Sequence, residues 1–215
     1  MKDKPNEWIS IADLMAGVMA VLMLLLVLAV LQKTFADIQH RRALEQGSAA
    51  QRLKISSMLN ELRTAFAQQG IDGLVNFDLA AGKITLRDNV FNRGSACVTP
   101  QAREAFMRIE HKIAWFLLEV EHGQVLVEGH TDNAPVLHPV TDWARHCTVY
   151  DDNYTLSAAR AREARKHLVG QLDAGRAGRI VVAGYGDSQP LRGVALDDAR
   201  QRRVEVRFVV HDAGR

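Results

Sequence analysis

Residues 14–31 carry no charged or strongly polar side chain: LMAGVMAVLMLLLVLAVL. With Ile9, Ile11 and Ala12 ahead of it, the run reaches the ~20 apolar residues a helix needs to cross a hydrocarbon core. The pattern then becomes periodic. Residues 32–69 are rich in Ala, Gln, Arg, Glu and Leu and contain no proline, and Ile55, Leu59, Leu62 and Phe66 recur at helical spacing. This predicts a helical spacer with a break at Gln46-Gly47-Ser48, its apolar stripe suited to pairing with a second copy.

After Gly70 and Gly73 the periods shorten. Residues 74–77 and 83–86 read as strands around a turn at Ala81-Gly82. Pro100 opens a helix with Phe106, Ile109, Ile113, Phe116 and Val120 on one face, and Val125-Leu126-Val127 is the next strand. Residues 133–152, with Pro135 and Pro139, read as a long loop. Ser157, Ala161, Ala164 and Leu168 mark a second helix, and Ile180-Val181-Val182 a further strand. The last strand alternates, with Val204, Val206, Phe208 and Val210 on one face and Glu205 and Arg207 on the other. Strands interleaved with helices predict an α+β fold, in βαβαβ order, with helices packed on a mixed sheet. The expected organisation is a short head (1–8), a transmembrane helix (9–32), a helical linker (33–70) and a globular domain (71–215).

The apolar run has a rival reading as a cleaved signal peptide, since Lys2 and Lys4 resemble a basic n-region. The run exceeds the usual 7–15 residues of an h-region, and neither an A-x-A site nor a lipobox cysteine follows it, which favours a retained anchor. Positive charges flank the span almost evenly, with Lys2 and Lys4 before it and Lys33, Arg41 and Arg42 after it, so they do not set its orientation. A net charge of +2 gives no ground for nucleic-acid binding. Cys97 and Cys147, fifty positions apart, fit neither a zinc motif nor a redox pair. They are either two buried thiols or one disulfide, which requires an oxidising compartment.

Catalytic signatures are missing from the sequence. Gly184-Tyr185-Gly186 is a turn rather than a dinucleotide fingerprint, and neither a G-x-S-x-G elbow nor an H-E-x-x-H pair occurs. His130, His138, His146 and Cys147 have no standard zinc spacing. The expectation is a protein without enzymatic activity, cofactor or metal.

Four motifs follow in order: Val127-Glu128-Gly129-His130-Thr131-Asp132, then Asn153-Tyr154-Thr155-Leu156-Ser157-Ala158-Ala159-Arg160-Ala161, then Gly184-Tyr185-Gly186 with Pro190, then Arg202-Arg203-Val204-Glu205. The series resembles the OmpA-like peptidoglycan-binding domain shared by OmpA, Pal and MotB, over about residues 74–210. The resemblance implies that Asp132 and Arg160 hold the diaminopimelate of a peptide stem, with Asn153 and Leu156 lining the site. Phe91-Asn92-Arg93-Gly94-Ser95-Ala96 also fits, with Asn92 where the family usually has Asp. Phe91, Asn92 and Arg203 complete the implied set. The chain departs from the pattern at Gln201, where the family has Asn before its two arginines, and in the longer loop before Asn153.

Asp13 stands near the start of the apolar run. Ser10-Ile-Ala-Asp13 reads either as a helix-capping sequence or as a carboxylate inside the membrane, where charge is costly. Residues 8–19 (Trp8-Ile9-Ser10-Ile11-Ala12-Asp13-Leu14-Met15-Ala16-Gly17-Val18-Met19) resemble the start of the MotB-type stator helix, and the Trp-Ile-Ser lead is most similar to the ZorB subunits of Zorya antiphage defence systems. That resemblance implies an ion-carrying Asp13 and a homodimer held within a pentameric MotA-like (ZorA-like) membrane protein. It also implies a bacterial inner-membrane, single-pass topology with a cytoplasmic N-terminus and a periplasmic domain bound to peptidoglycan. A flagellar stator and a static tether from membrane to wall are the alternatives.

Overall fold

Five strands pair in the order β1-β2-β5-β3-β4. They are β1 (Val75–Asp78), β2 (Lys83–Arg87), β3 (Gly123–His130), β4 (Ile180–Gly184) and β5 (Arg203–Val210). β1 and β2 form an antiparallel hairpin with Val75 opposite Leu86, β5 runs antiparallel to both β2 and β3, and β4 lies parallel to β3 with Ile180 opposite Val125. The helices are α1 (Glu7–Gln68), α2 (Pro100–Glu119), α3 (Trp143–His146), α4 (Asn153–Val169) and α5 (Ala174–Gly178). This computed structural model describes residues 7–211, with the side chains of residues 7–14, 20, 36–48 and 72 outside the description. Residues 1–6 of the expected head, and the side chain of Asp13, therefore lie outside the described part.

The chain divides into two units, Met1–Ala50 and Gln51–Arg215. In the first, Met15–Phe35 is 21 residues long with a mean hydropathy of 2.6 and is entirely exposed. Leu22, Leu24, Leu25 and Leu28 project from all sides of this helix rather than along a stripe. Such a helix is soluble only where something apolar surrounds it, and its length matches a bilayer core.

In the second unit the sheet is covered on one face. Val125, Val127, Ile84, Leu86, Val204 and Val206 are fully buried there, beneath Phe106, Ile109 and Ile113 of α2 and Ala161, Ala164 and Leu168 of α4. Phe116 meets Phe208 edge to face at 5.1 Å. The alternation in β5 is what commits one face to this core.

Two expectations are corrected. Ile55, Met58, Leu59, Leu62 and Phe66 of α1 are buried in this same core, so the compact unit begins at Gln51 and the stripe is not free to pair with a second copy. Helical periodicity reveals that a face is buried but not what buries it. Helical backbone also runs across Gln46-Gly47-Ser48, where a break was expected. A single glycine costs a helix about 1 kcal/mol, too little to end it.

The long loop is ordered by local bonds. Asp142 caps α3 by accepting the Arg145 N–H at 3.1 Å, and Val140 and Tyr150 form a two-way backbone bridge.

Candidate functional site

Close packing of α4 on the sheet builds the site. A Cβ on Gly129 would lie 2.0 Å from the Ser157 carbonyl oxygen, and one on Gly184 would lie 2.6 Å from the Ala158 Cβ. Glycine at the ends of β3 and β4 is what lets the start of α4 rest on the backbone of the sheet. Asp152 caps that helix, accepting the Thr155 N–H at 2.6 Å, and Ser157 Oγ accepts the Gly186 N–H at 2.9 Å. Asn153, Leu156 and Arg160 then project from one face of α4 at helical spacing.

The structure brings Asp132, Asn153, Arg160 and Phe91 together. Asn153 Nδ2 donates to the carbonyls of Asp132 at 3.3 Å and Ala134 at 2.9 Å, holding the turn that presents the Asp132 carboxylate. Arg160 is 2% exposed; its Nε donates to the Ser95 carbonyl at 2.9 Å, and its guanidinium lies 5.6 Å from the Phe91 ring centre. Burial pulls the Arg160 pKa down and the nearby Asp88 carboxylate pushes it back up. An arginine remains charged throughout. Leu156 is buried one turn away. Asn92 is exposed, and its backbone bonds to Cys97 and Ser95 shape the turn beneath Arg160.

Two residues not singled out from the sequence complete the cluster. Asp88 offers Oδ1 to Arg160 Nη1 at 3.6 Å and Oδ2 to Arg202 Nη2 at 2.9 Å. Arg202 also reaches Asp132 Oδ2 at 2.6 Å, and these carboxylate bonds, Asp88 first, raise its pKa. Arg203 is not part of the cluster: it lies on the opposite face of β5, paired with Glu205 at 2.7 Å. The alternation that places Glu205 and Arg207 away from the core also places Arg203 there, so strand parity selects Arg202. Asp88 had no motif to mark it. Gln201, which replaces the family's usual Asn, is 1% exposed and accepts from the Leu191 N–H while donating to the carbonyls of Val194 and Ala195. It fixes the loop before β5.

Two carboxylates and two guanidiniums sum to zero charge and are paired with one another, so a ligand that enters must offer both charges in exchange. Such a cluster suits a zwitterion: an ammonium against Asp132, and a carboxylate on guanidinium N–H groups able to grip it in two parallel bonds.

Cys97 and Cys147 are joined in a disulfide, with their Cα atoms 5.1 Å apart. The bridge ties the end of α3 to the turn that carries Ser95. Around it Ser95 Oγ donates to the His146 carbonyl at 3.0 Å, and the Tyr150 hydroxyl donates to the Gly94 carbonyl at 2.7 Å. Replacing both cysteines with serine should lower stability by about 2–4 kcal/mol, as expected for opening a loop of this length. Denaturant unfolding of the oxidised protein and the double variant measures the difference.

Glu128, His130 and Glu205 bring three possible metal ligands within 4.8 Å of one another on the other face of the sheet. They do not fit a divalent cation. Lys83 at 3.0 Å and Arg203 at 2.7 Å already hold Glu205, and Arg207 at 2.8 Å holds Glu128, leaving the group net positive. Cys147, being bridged, offers no thiolate to His138 or His146.

His130 stacks on Tyr185 at 5.4 Å, with both ring nitrogens buried and unpartnered. Burial first, then Arg203, lowers its pKa from 6.5 to about 4. The unfolded chain thus takes up this proton near pH 6.5 and the folded chain only near pH 4. Stability should fall across that window as pH drops, by up to about 3 kcal/mol. Unfolding titrations at pH 7 and 4.5 should show this loss, reduced in His130→Phe.

The OmpA family matches residues 90–203. Among solved structures, a MotB-like protein from Desulfovibrio vulgaris is similar over 77% of this chain and 97% of its own, with 24% identity and a TM-score of 0.52. The cell wall anchor of the T6SS from Pseudomonas aeruginosa is similar over 70% of this chain and 97% of its own, with 32% identity and a TM-score of 0.51. No curated protein matches the chain.

Proposed function

Because this chain belongs to the OmpA family, we propose that its second unit binds peptidoglycan and that Met15–Phe35 anchors it in the bacterial inner membrane. The observation that carries this reading is the neutral cluster of Asp88, Asp132, Arg160 and Arg202. Diaminopimelate ends in an ammonium and a carboxylate on one carbon. Asp132 takes the ammonium, and Arg160 and Arg202 take the carboxylate, so that each charge of the zwitterion meets its opposite. Full-length protein should sediment with purified sacculi, and free meso-diaminopimelate should compete. Recovery in the supernatant with intact sacculi overturns the proposal.

The reading extends to a stator of the MotA/MotB type, in a Zorya-like defence system. It is supported by the stator-like residues 8–19 and by the fold shared with a MotB-like protein. Two copies sit within a pentameric MotA-like (ZorA-like) ring, their N-termini cytoplasmic and their wall-binding units periplasmic. Asp13 carries the ion. A proton crossing 100 mV supplies about 2.3 kcal/mol, enough for small conformational steps. A second reading, a static tether, is favoured by the 32% identity to a cell wall anchor. Purification from membranes separates the two: a stator brings along a polytopic protein in excess, and a tether does not.

A further inference from the structure

Beside the zwitterion site lies a cavity of about 700 Å³, among whose walls are Arg87, Asp88, Phe91, Arg93, Arg200 and Arg202. Asp88, Phe91 and Arg202 also belong to the site just described, so the cavity shares the Asp88–Arg202 pair with it, and Arg203, bound to Glu205, lines the cavity as well.

The charges in the cavity are unbalanced. Asp88 is the one acidic residue on its wall, and both of its oxygens already face arginines. Arg200 is held by Asp198 through two bonds. Arg87 and Arg93 are exposed and form no ion pair among the described residues. Several guanidiniums around one cavity with so little acid to offset them create a positive field that an anion relieves.

We infer that this cavity is a second anion subsite, which holds the free α-carboxylate of the stem residue preceding diaminopimelate. The inference rests on the wall-binding reading and adds to it. About eleven bonds, through the diaminopimelate side chain and the glutamate linkage, separate the gripped carboxylate from the next free one, a reach of up to about 14 Å when extended. A stem held by Arg160 and Arg202 can therefore place its next carboxylate on the far side of the Asp88–Arg202 pair. In the stem that neighbour is a glutamate linked through its side chain, which leaves its α-carboxylate free. Arg87 and Arg93 grip it from the side away from Arg160.

Calorimetric titration of the full-length protein in detergent tests this with three probes. They are free meso-diaminopimelate, the tripeptide L-Ala-γ-D-Glu-meso-diaminopimelate, and the same tripeptide with its glutamate α-carboxylate amidated. The wild type should bind the free-acid tripeptide about tenfold more tightly than the amidated one, as for loss of one charge-assisted contact. The Arg87→Gln/Arg93→Gln variant should erase that ratio while its affinity for meso-diaminopimelate stays unchanged. A wild type that binds both tripeptides equally, or a variant that keeps the tenfold ratio, overturns the subsite and leaves the zwitterion site standing. A wild type that binds none of the three overturns the wall-binding reading, and the subsite with it.

Discussion

Arg160→Ala is expected to weaken binding to sacculi by at least about thirtyfold. Truncating one member of a desolvated charge pair costs about 2–5 kcal/mol, and each 1.4 kcal/mol is a factor of ten. Arg160 is suited to the upper part of that range, being 2% exposed and fixed from two sides, by the Ser95 carbonyl and the Phe91 ring. The substitution also leaves the Ser95 carbonyl without its partner, at about 1–3 kcal/mol of stability. Circular dichroism must therefore accompany the sedimentation assay. Arg160→Lys separates charge from geometry, because an ammonium keeps the charge but cannot reproduce the planar fork. It should recover part of the binding. A folded Arg160→Ala protein that sediments like the wild type would remove Arg160 from the site.

Asp13→Asn is expected to abolish biological activity while leaving expression, membrane insertion and sacculus binding intact. An ion-carrying carboxylate has to alternate between charged and neutral or ion-bound states. Asparagine keeps the size and a hydrogen-bonding oxygen but cannot take up and release a proton. The capping alternative predicts a mild effect, since asparagine is itself a good helix cap and the cost would be about 1 kcal/mol or less. Asp13→Glu retains titration and moves the carboxylate by one methylene, so partial activity there beside an inactive Asp13→Asn would mark ion transport. Full activity of Asp13→Asn would favour the static tether.

Much of the sheet was legible from local pattern. Alternation in β5 and the run of branched residues in β3 and β4 are local signals, and each strand lies where its pattern placed it. What pattern could not supply was the partner of each face. The stripe at Ile55, Leu59, Leu62 and Phe66 looks the same whether a second chain or the chain's own core covers it. The site was legible to the extent that it sat in motifs: Asp132, Asn153 and Arg160 meet because Gly129 and Gly184 let α4 approach the sheet. Asp88 stayed hidden because it sits in the turn just after β2, 44 residues before Asp132, and no local spacing links it to Arg202 across the fold. The pairing of Cys97 with Cys147 is equally non-local, decided by the bonds that fold residues 133–152 onto the turn at Ser95.

The zwitterion grip can be tested by changing the wall and keeping the protein constant. Lysine-type peptidoglycan retains the side-chain ammonium of the stem's third residue but lacks the carboxylate beside it. A site built from Asp132 for the ammonium and from Arg160 and Arg202 for the carboxylate needs both. In parallel sedimentation assays, the full-length protein should bind diaminopimelate-type sacculi at least about tenfold more tightly than lysine-type peptidoglycan, reflecting the lost charge-assisted bonds to arginine. Equal binding to the two walls would contradict recognition of the diaminopimelate zwitterion by this cluster.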